Sequence, residues 1–124
     1  MTPQENWARC RPWIEAALVT SPGLETIEDV ERLVADGSYQ VWFGRNCAAI
    51  TEIASYPSRK VMTVIHGGGD LTELLDELEP SMCAFARTQG CDAIMGTGRK
   101  GWERVTEKRG YRFAWIVMTK DLST

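Results

Sequence analysis

Residues 59–78 read RKVMTVIHGGGDLTELLDEL, and within this stretch the apolar period changes from that of a strand to that of a helix. Val61, Met62, Val64 and Ile65 give Arg59–His66 the composition of a β-strand. His66-Gly67-Gly68-Gly69 then reads as a glycine turn. Asp70 and Glu73 stand at N-cap spacing, and Leu71, Leu74, Leu75 and Leu78 form one stripe of an amphipathic helix. Pro80 interrupts that stripe, and Met82, Phe85 and Ala86 continue it to Gly90.

Upstream, two strands precede this switch. Tyr39–Gly44 is rich in β-formers, and Cys47–Ser55 is apolar with Thr51 and Glu52 embedded. The links Arg45-Asn46 and Tyr56-Pro57-Ser58 are short enough for hairpins, so the three strands form an antiparallel meander. Two helices come first. Thr2-Pro3-Gln4-Glu5 is a capping box with proline at the first helical position, followed by a Trp7, Cys10, Ile14, Leu18 stripe. Pro12 inside it predicts a kink or break near Arg11. The second helix starts at Thr26, buries Ile27, Val30, Leu33 and Val34, and stops at Gly37.

Downstream, Cys91–Gly96 reads as a short strand and Lys100–Arg109 as a short helix burying Trp102 and Val105. Tyr111–Thr119, YRFAWIVMT, reads as a long last strand. The order is helix, helix, three strands, helix, strand, helix, strand: an α+β (α/β-like) fold with a mixed sheet, in one domain over residues 1–124.

Composition narrows the function classes. With 44% apolar and 25% charged residues, disordered and fibrous classes are excluded. No apolar run approaches the ~18 residues of a membrane span, and MTPQENWARCRPW lacks the apolar centre of a secretory signal. The four cysteines form no C-x-x-C pair, and His66 is the sole histidine. A zinc site needing two histidines is therefore excluded, no metal is expected, and the cysteines read as reduced thiols. The net charge of −3 argues against nucleic acid as a partner. Charge is uneven, however. Residues 70–79 are acidic and 99–112 basic, so the two segments either face each other or each faces a partner.

The element order resembles the GNAT superfamily of acyl-CoA-dependent N-acyltransferases over nearly the whole chain. The most specific stretch is Gly98–Leu122, GRKGWERVTEKRGYRFAWIVMTKDL, where a short helix ends in Lys-Arg-Gly-Tyr before a long strand. The chain is also similar to small GNAT-like proteins of bacteriophages and prophages. They share the phrases TEI..YP (Thr51-Glu52-Ile53, Tyr56-Pro57) and GR.GW (Gly98-Arg99, Gly101-Trp102). The resemblance implies acetyl-CoA or another acyl-CoA as cofactor, held where two strands splay, with Ile65, His66, Gly67, Gly68 and Gly69 as the binding turn. It implies that strand 59–66 lies beside strand 91–96 and parts from it at His66.

Several positions depart from the superfamily pattern. His66 stands where glutamine or arginine is usual, and Leu71 where a second small residue is usual. Asp70 places a carboxylate where a pyrophosphate would sit. Thr106 occupies the place of the usual tyrosine acid, and Arg99 that of a frequent asparagine.

Two bases are candidates for deprotonating an amine. Glu52 lies inside an apolar strand, unless it pairs with Arg45, Arg59 or Arg112. His66 sits at a strand end, unless it only caps the turn. Five tryptophans are many for one small core, and Trp13, off the first helix's stripe, is the one expected to be exposed for a protein partner. Arg104, Lys108 and Arg109 are expected to form a basic ridge. Two function classes follow. One is an acyl-CoA-dependent N-acyltransferase-like protein with a degenerate cofactor motif and an unknown amine substrate. The other is a non-catalytic GNAT-like phage structural, assembly or host-interaction protein. Either implies a place in the host cytoplasm or the virion.

Overall fold

The computed structural model describes residues 1–98 and 101–122. Helix α1 (Pro3–Val19) is closed by the capping box: the Glu5 amide donates to Thr2 Oγ1 over 3.1 Å. It runs through Pro12 without ending, so of the kink or break predicted near Arg11 the break does not occur. Proline removes one backbone bond there, while Cys10 and Ile14 on the opposite face stay buried and hold the helix on the sheet. Helix α2 (Ile27–Ala35) carries a second box, Thr26 with Asp29.

Four strands follow in sheet order β1 (Tyr39–Phe43), β2 (Cys47–Ser55), β3 (Lys60–Gly69) and β4 (Ala93–Gly96). The first two pairings are antiparallel and β3–β4 is parallel. Between β3 and β4 the chain makes α3 (Leu71–Glu73), a π-helical turn (Leu74–Leu78) and α4 (Glu79–Thr88). The wide turn ends next to Pro80, whose missing N–H and bulky ring disfavour a regular turn there. Helix α5 (Trp102–Glu107) comes last.

Helices cover both faces of the sheet. On one, α1 and α2 bury Cys10, Ile14, Ile27 and Val30 against Ala48 and Ile50. On the other, Leu74, Leu75, Met82 and Ala86 pack on Cys47, Ala49, Met62 and Val64, with Val105 of α5 against the same cluster. The buried Thr51 hydroxyl accepts from Trp42 Nε1 (2.9 Å) and donates to Gln40 (2.8 Å), so its burial leaves no polar atom unsatisfied.

The structure corrects two further expectations here. Tyr111–Thr119 forms neither strand nor helix, and Phe113 and Trp115–Met118 are exposed. β-formers need a ladder to join, and among the described residues no strand pairs on the far edge of the four-residue β4. Trp13 is half-buried, its backbone pressed on Gly68, whereas Trp115 is 72% exposed.

Candidate functional site

The site grows from an irregularity in β3. Ile50 pairs with His66 and Thr51 with Val64, which leaves Ile65 as the extra residue of a β-bulge. On the other side, the β3–β4 ladder runs from Val61–Ala93 to Val64–Gly96 and then ends. Thr97 closes it, its amide donating to the Val64 carbonyl over 3.0 Å. From Ile65 to Gly69, β3 pairs with β2 alone. The two strands therefore lie side by side, and their pairing stops before His66, as the resemblance implies.

The three glycines are not a turn. Gly67, Gly68 and Gly69 continue β3, opposite Ala49, Ala48 and Cys47. Each is glycine because something lies against it. A Cβ on Gly67 would stand 2.7 Å from Trp102 Cη2, and one on Gly68 would stand 2.4 Å from the Trp13 carbonyl oxygen. Gly69 has φ +87° and would press a Cβ to within 2.3 Å of the Asn46 carbonyl oxygen. Asp70 follows at once as N-cap of α3, its Oδ1 accepting from the Glu73 amide over 3.1 Å. No loop separates strand from helix, and the first turn is already served by a carboxylate. This end does not fit a pyrophosphate held on helix amides. The Ile65–Gly69 edge, by contrast, is of the kind that pairs with an amide-bearing arm.

Behind the bulge lies a buried polar group. His66 Nε2 stands 2.5 Å from Glu25 Oε1, and the Tyr39 hydroxyl donates to Glu25 Oε2 over 2.8 Å. The side chains of His66 and Glu25 are 8% and 13% exposed. Burial, then the bond to Glu25, pushes the Tyr39 hydroxyl well above its ordinary pKa, so it stays a donor. Glu52 pairs across β1–β2 with Tyr39 and is half-buried. Among the described residues it makes none of the ion pairs with Arg45, Arg59 or Arg112. Sequence reasoning reached His66 and Glu52 but missed Glu25 and Tyr39. Glu25 has one local signal, its place just before the Thr26 cap.

The other predicted residues do not join this group. Thr106 donates its hydroxyl to the Trp102 carbonyl over 2.9 Å, within its own helix. Arg99 lies outside the described residues. Trp102 and Val105 point inward while Arg104 and Lys108 are exposed, as predicted. Arg109 does not join an open ridge: its guanidinium pairs with Asp76 at 3.0 Å, so the acidic and basic segments meet there. At the start of α3, Glu73 accepts from the Asn46 amide and from Cys47 Sγ, both over 2.9 Å. These bonds, Cys47's first, hold the Glu73 carboxyl below its usual range. Burial and the same contact push the Cys47 thiol up to about 12. Among the described residues no group of three or more His, Cys, Asp or Glu side chains could hold a metal, and no helix is long and apolar enough to cross a membrane.

No family model matches the chain, and no curated protein matches it. Solved structures do. A Trypanosoma brucei acetyltransferase superposes with TM-score 0.67 at 15% identity, over 98% of this chain and 96% of that one. An aminoglycoside acetyltransferase from an uncultured soil metagenomic sample, in complex with sisomicin, gives 0.66 at 8% identity over 98% and 91%. The BH1408 protein of Bacillus halodurans, as a tetramutant, gives 0.64 at 13% identity over 96% and 94%. At these identities the likeness is one of fold, and the fold is that of the acetyltransferases: a mixed α+β structure around a splayed four-stranded sheet.

Proposed function

We propose that the protein is an acyl-CoA-dependent N-acyltransferase of GNAT type, with acetyl-CoA or another acyl-CoA as donor and an amine as acceptor. One observation carries the reading. β3 bulges at Ile65 and loses β4 after Val64, which leaves Ile65–Gly69 without a strand partner on that side, where a ligand's amides could pair once Trp102 gives way at Gly67. The amine-bearing antibiotic beside one of the structural neighbours supports an amine acceptor. When bound, the thioester supplies the carbonyl carbon. A bond forms between it and the amine nitrogen, the carbon–sulfur bond breaks, and the proton shed by the amine ends on the departing thiolate. This chain's share is a base for that proton, His66 or Glu52, and a backbone edge from Ile65 to Gly69 that orients the arm. The cofactor motif is degenerate at its phosphate end, because Asp70 caps α3.

That same end favours a second reading, a non-catalytic GNAT-like protein. Trp102 lies on Gly67 and Asp70 occupies the helix start, both against a conventional cofactor grip. Phage origin, and a role in assembly or host interaction, would follow from the likeness of TEI..YP and GR.GW to small phage proteins. The exposed Trp115 and the basic Arg104 and Lys108 would then meet the partner. Calorimetry with acetyl-CoA and CoA separates the readings. Micromolar binding, followed by thiol release in the presence of a polyamine or aminoglycoside, supports the enzyme. Silence at millimolar ligand removes it.

A further inference from the structure

We infer that Glu25 is a positioning residue which, backed by Tyr39, holds the His66 proton on Nε2 and leaves Nδ1 as the proton acceptor. The inference deepens the acyltransferase reading and, for the use of Nδ1, rests on it.

Three residues far apart in sequence build the array. His66 is the first residue after the bulge and lies two past the last β3–β4 pair. Glu25 sits just before the capping box of α2, Thr26 with Asp29. Tyr39 opens β1. Glu25 Oε1 faces His66 Nε2 at 2.5 Å, while Oε2 receives the Tyr39 hydroxyl at 2.8 Å. The inference places the hydrogen between Glu25 and His66 on the imidazole nitrogen, with the carboxylate accepting it as it accepts the Tyr39 hydroxyl. The second bond fixes the carboxylate's rotation, and burial of both side chains keeps water from competing. Among the described residues His66 Nδ1 makes no hydrogen bond, and it is not among the sealed, unsatisfied atoms. A ring bonded at Nε2, with Nδ1 unbonded among the described residues, can take a proton there rather than merely brace the fold.

His66 is the chain's sole histidine, so its ring nitrogens can be read without assignment. In ¹⁵N-labelled protein, long-range imidazole correlation spectra are expected to show a protonated Nε2 and a bare Nδ1. A slowly exchanging, downfield Nε2–H resonance is expected in the wild type and absent in Glu25→Ala. In Tyr39→Phe, the milder variant, the resonance should remain but exchange faster. A proton on Nδ1, or an Nε2–H signal unchanged by Glu25→Ala in folded protein, overturns the inference. In acyl transfer, Glu25→Ala and His66→Gln should each lower kcat by about 100-fold or more with the KM for acyl-CoA nearly unchanged. A KM effect alone overturns the acceptor role. A wild type that transfers no acyl group sinks the acyltransferase reading, and with it that role, whereas the resonance decides the tautomer independently.

Discussion

The indole of Trp102 rests on the backbone of Gly67, so close that a Cβ there would stand 2.7 Å from its Cη2. The same ring lies over Gly98, where a Cβ would be 3.3 Å away. One side chain of α5 thus fills the space beside β3 after it has parted from β4. Gly67→Ala should cost about 1–3 kcal/mol through overpacking. In a Trp102→Ala background that cost should largely vanish, which a double-mutant cycle in denaturant reads directly. An equal cost in both backgrounds would show that the two residues do not oppose each other.

Asp70 is the N-cap of α3, and its bond to the Glu73 amide is made at 3.1 Å. Asp70→Ala should lose about 1 kcal/mol of stability and Asp70→Gly less. No loss in urea titration would remove the capping role. Either substitution should also raise affinity for CoA or inorganic phosphate if the phosphate end is blocked by this carboxylate alone. Tight binding of acetyl-CoA by the wild type would refute that block.

Glu73 ties the start of α3 to the β1–β2 turn through Asn46 and Cys47. Its folded pKa lies below the unfolded value of about 4.3, so its stabilisation is present above that pH and is lost as the pH falls through the folded pKa. Glu73→Gln should therefore flatten the acid side of a melting-temperature profile. Asp29 and Asp36, held low by their bonds to Thr26 and to Ser38, should keep some slope. Identical acid limbs in variant and wild type would contradict the tie.

Trp115 is 72% exposed, whereas Trp7, Trp13, Trp42 and Trp102 are half-buried. Acrylamide should quench a distinct fraction of the fluorescence, and Trp115→Phe should abolish that fraction. A quenching curve untouched by Trp115→Phe would place that ring in contact with other residues.

The sequence by itself determined most elements, because their signals are local. The boxes Thr2–Glu5 and Thr26–Asp29 mark two helix starts, Asp70 marks a third, and runs such as Cys47–Ser55 select a strand whatever lies elsewhere. Tertiary structure alone decided what the ambiguous residues do. Glycine serves both turns and close approaches, so only the arrival of Trp13 and Trp102 showed that Gly67 and Gly68 belong to a strand. Tyr111–Thr119 has strand composition but joins no ladder among the described residues, and a ladder cannot be formed by one segment. His66 was legible as a candidate base, but its partner Glu25 is 41 residues away, and no periodicity links a strand residue to a loop residue brought to it by packing. Backbone hydrogen bonding and capping act over a few residues, so sequence carries them. Contacts between distant side chains depend on how the layers stack, and that is settled only when the core closes.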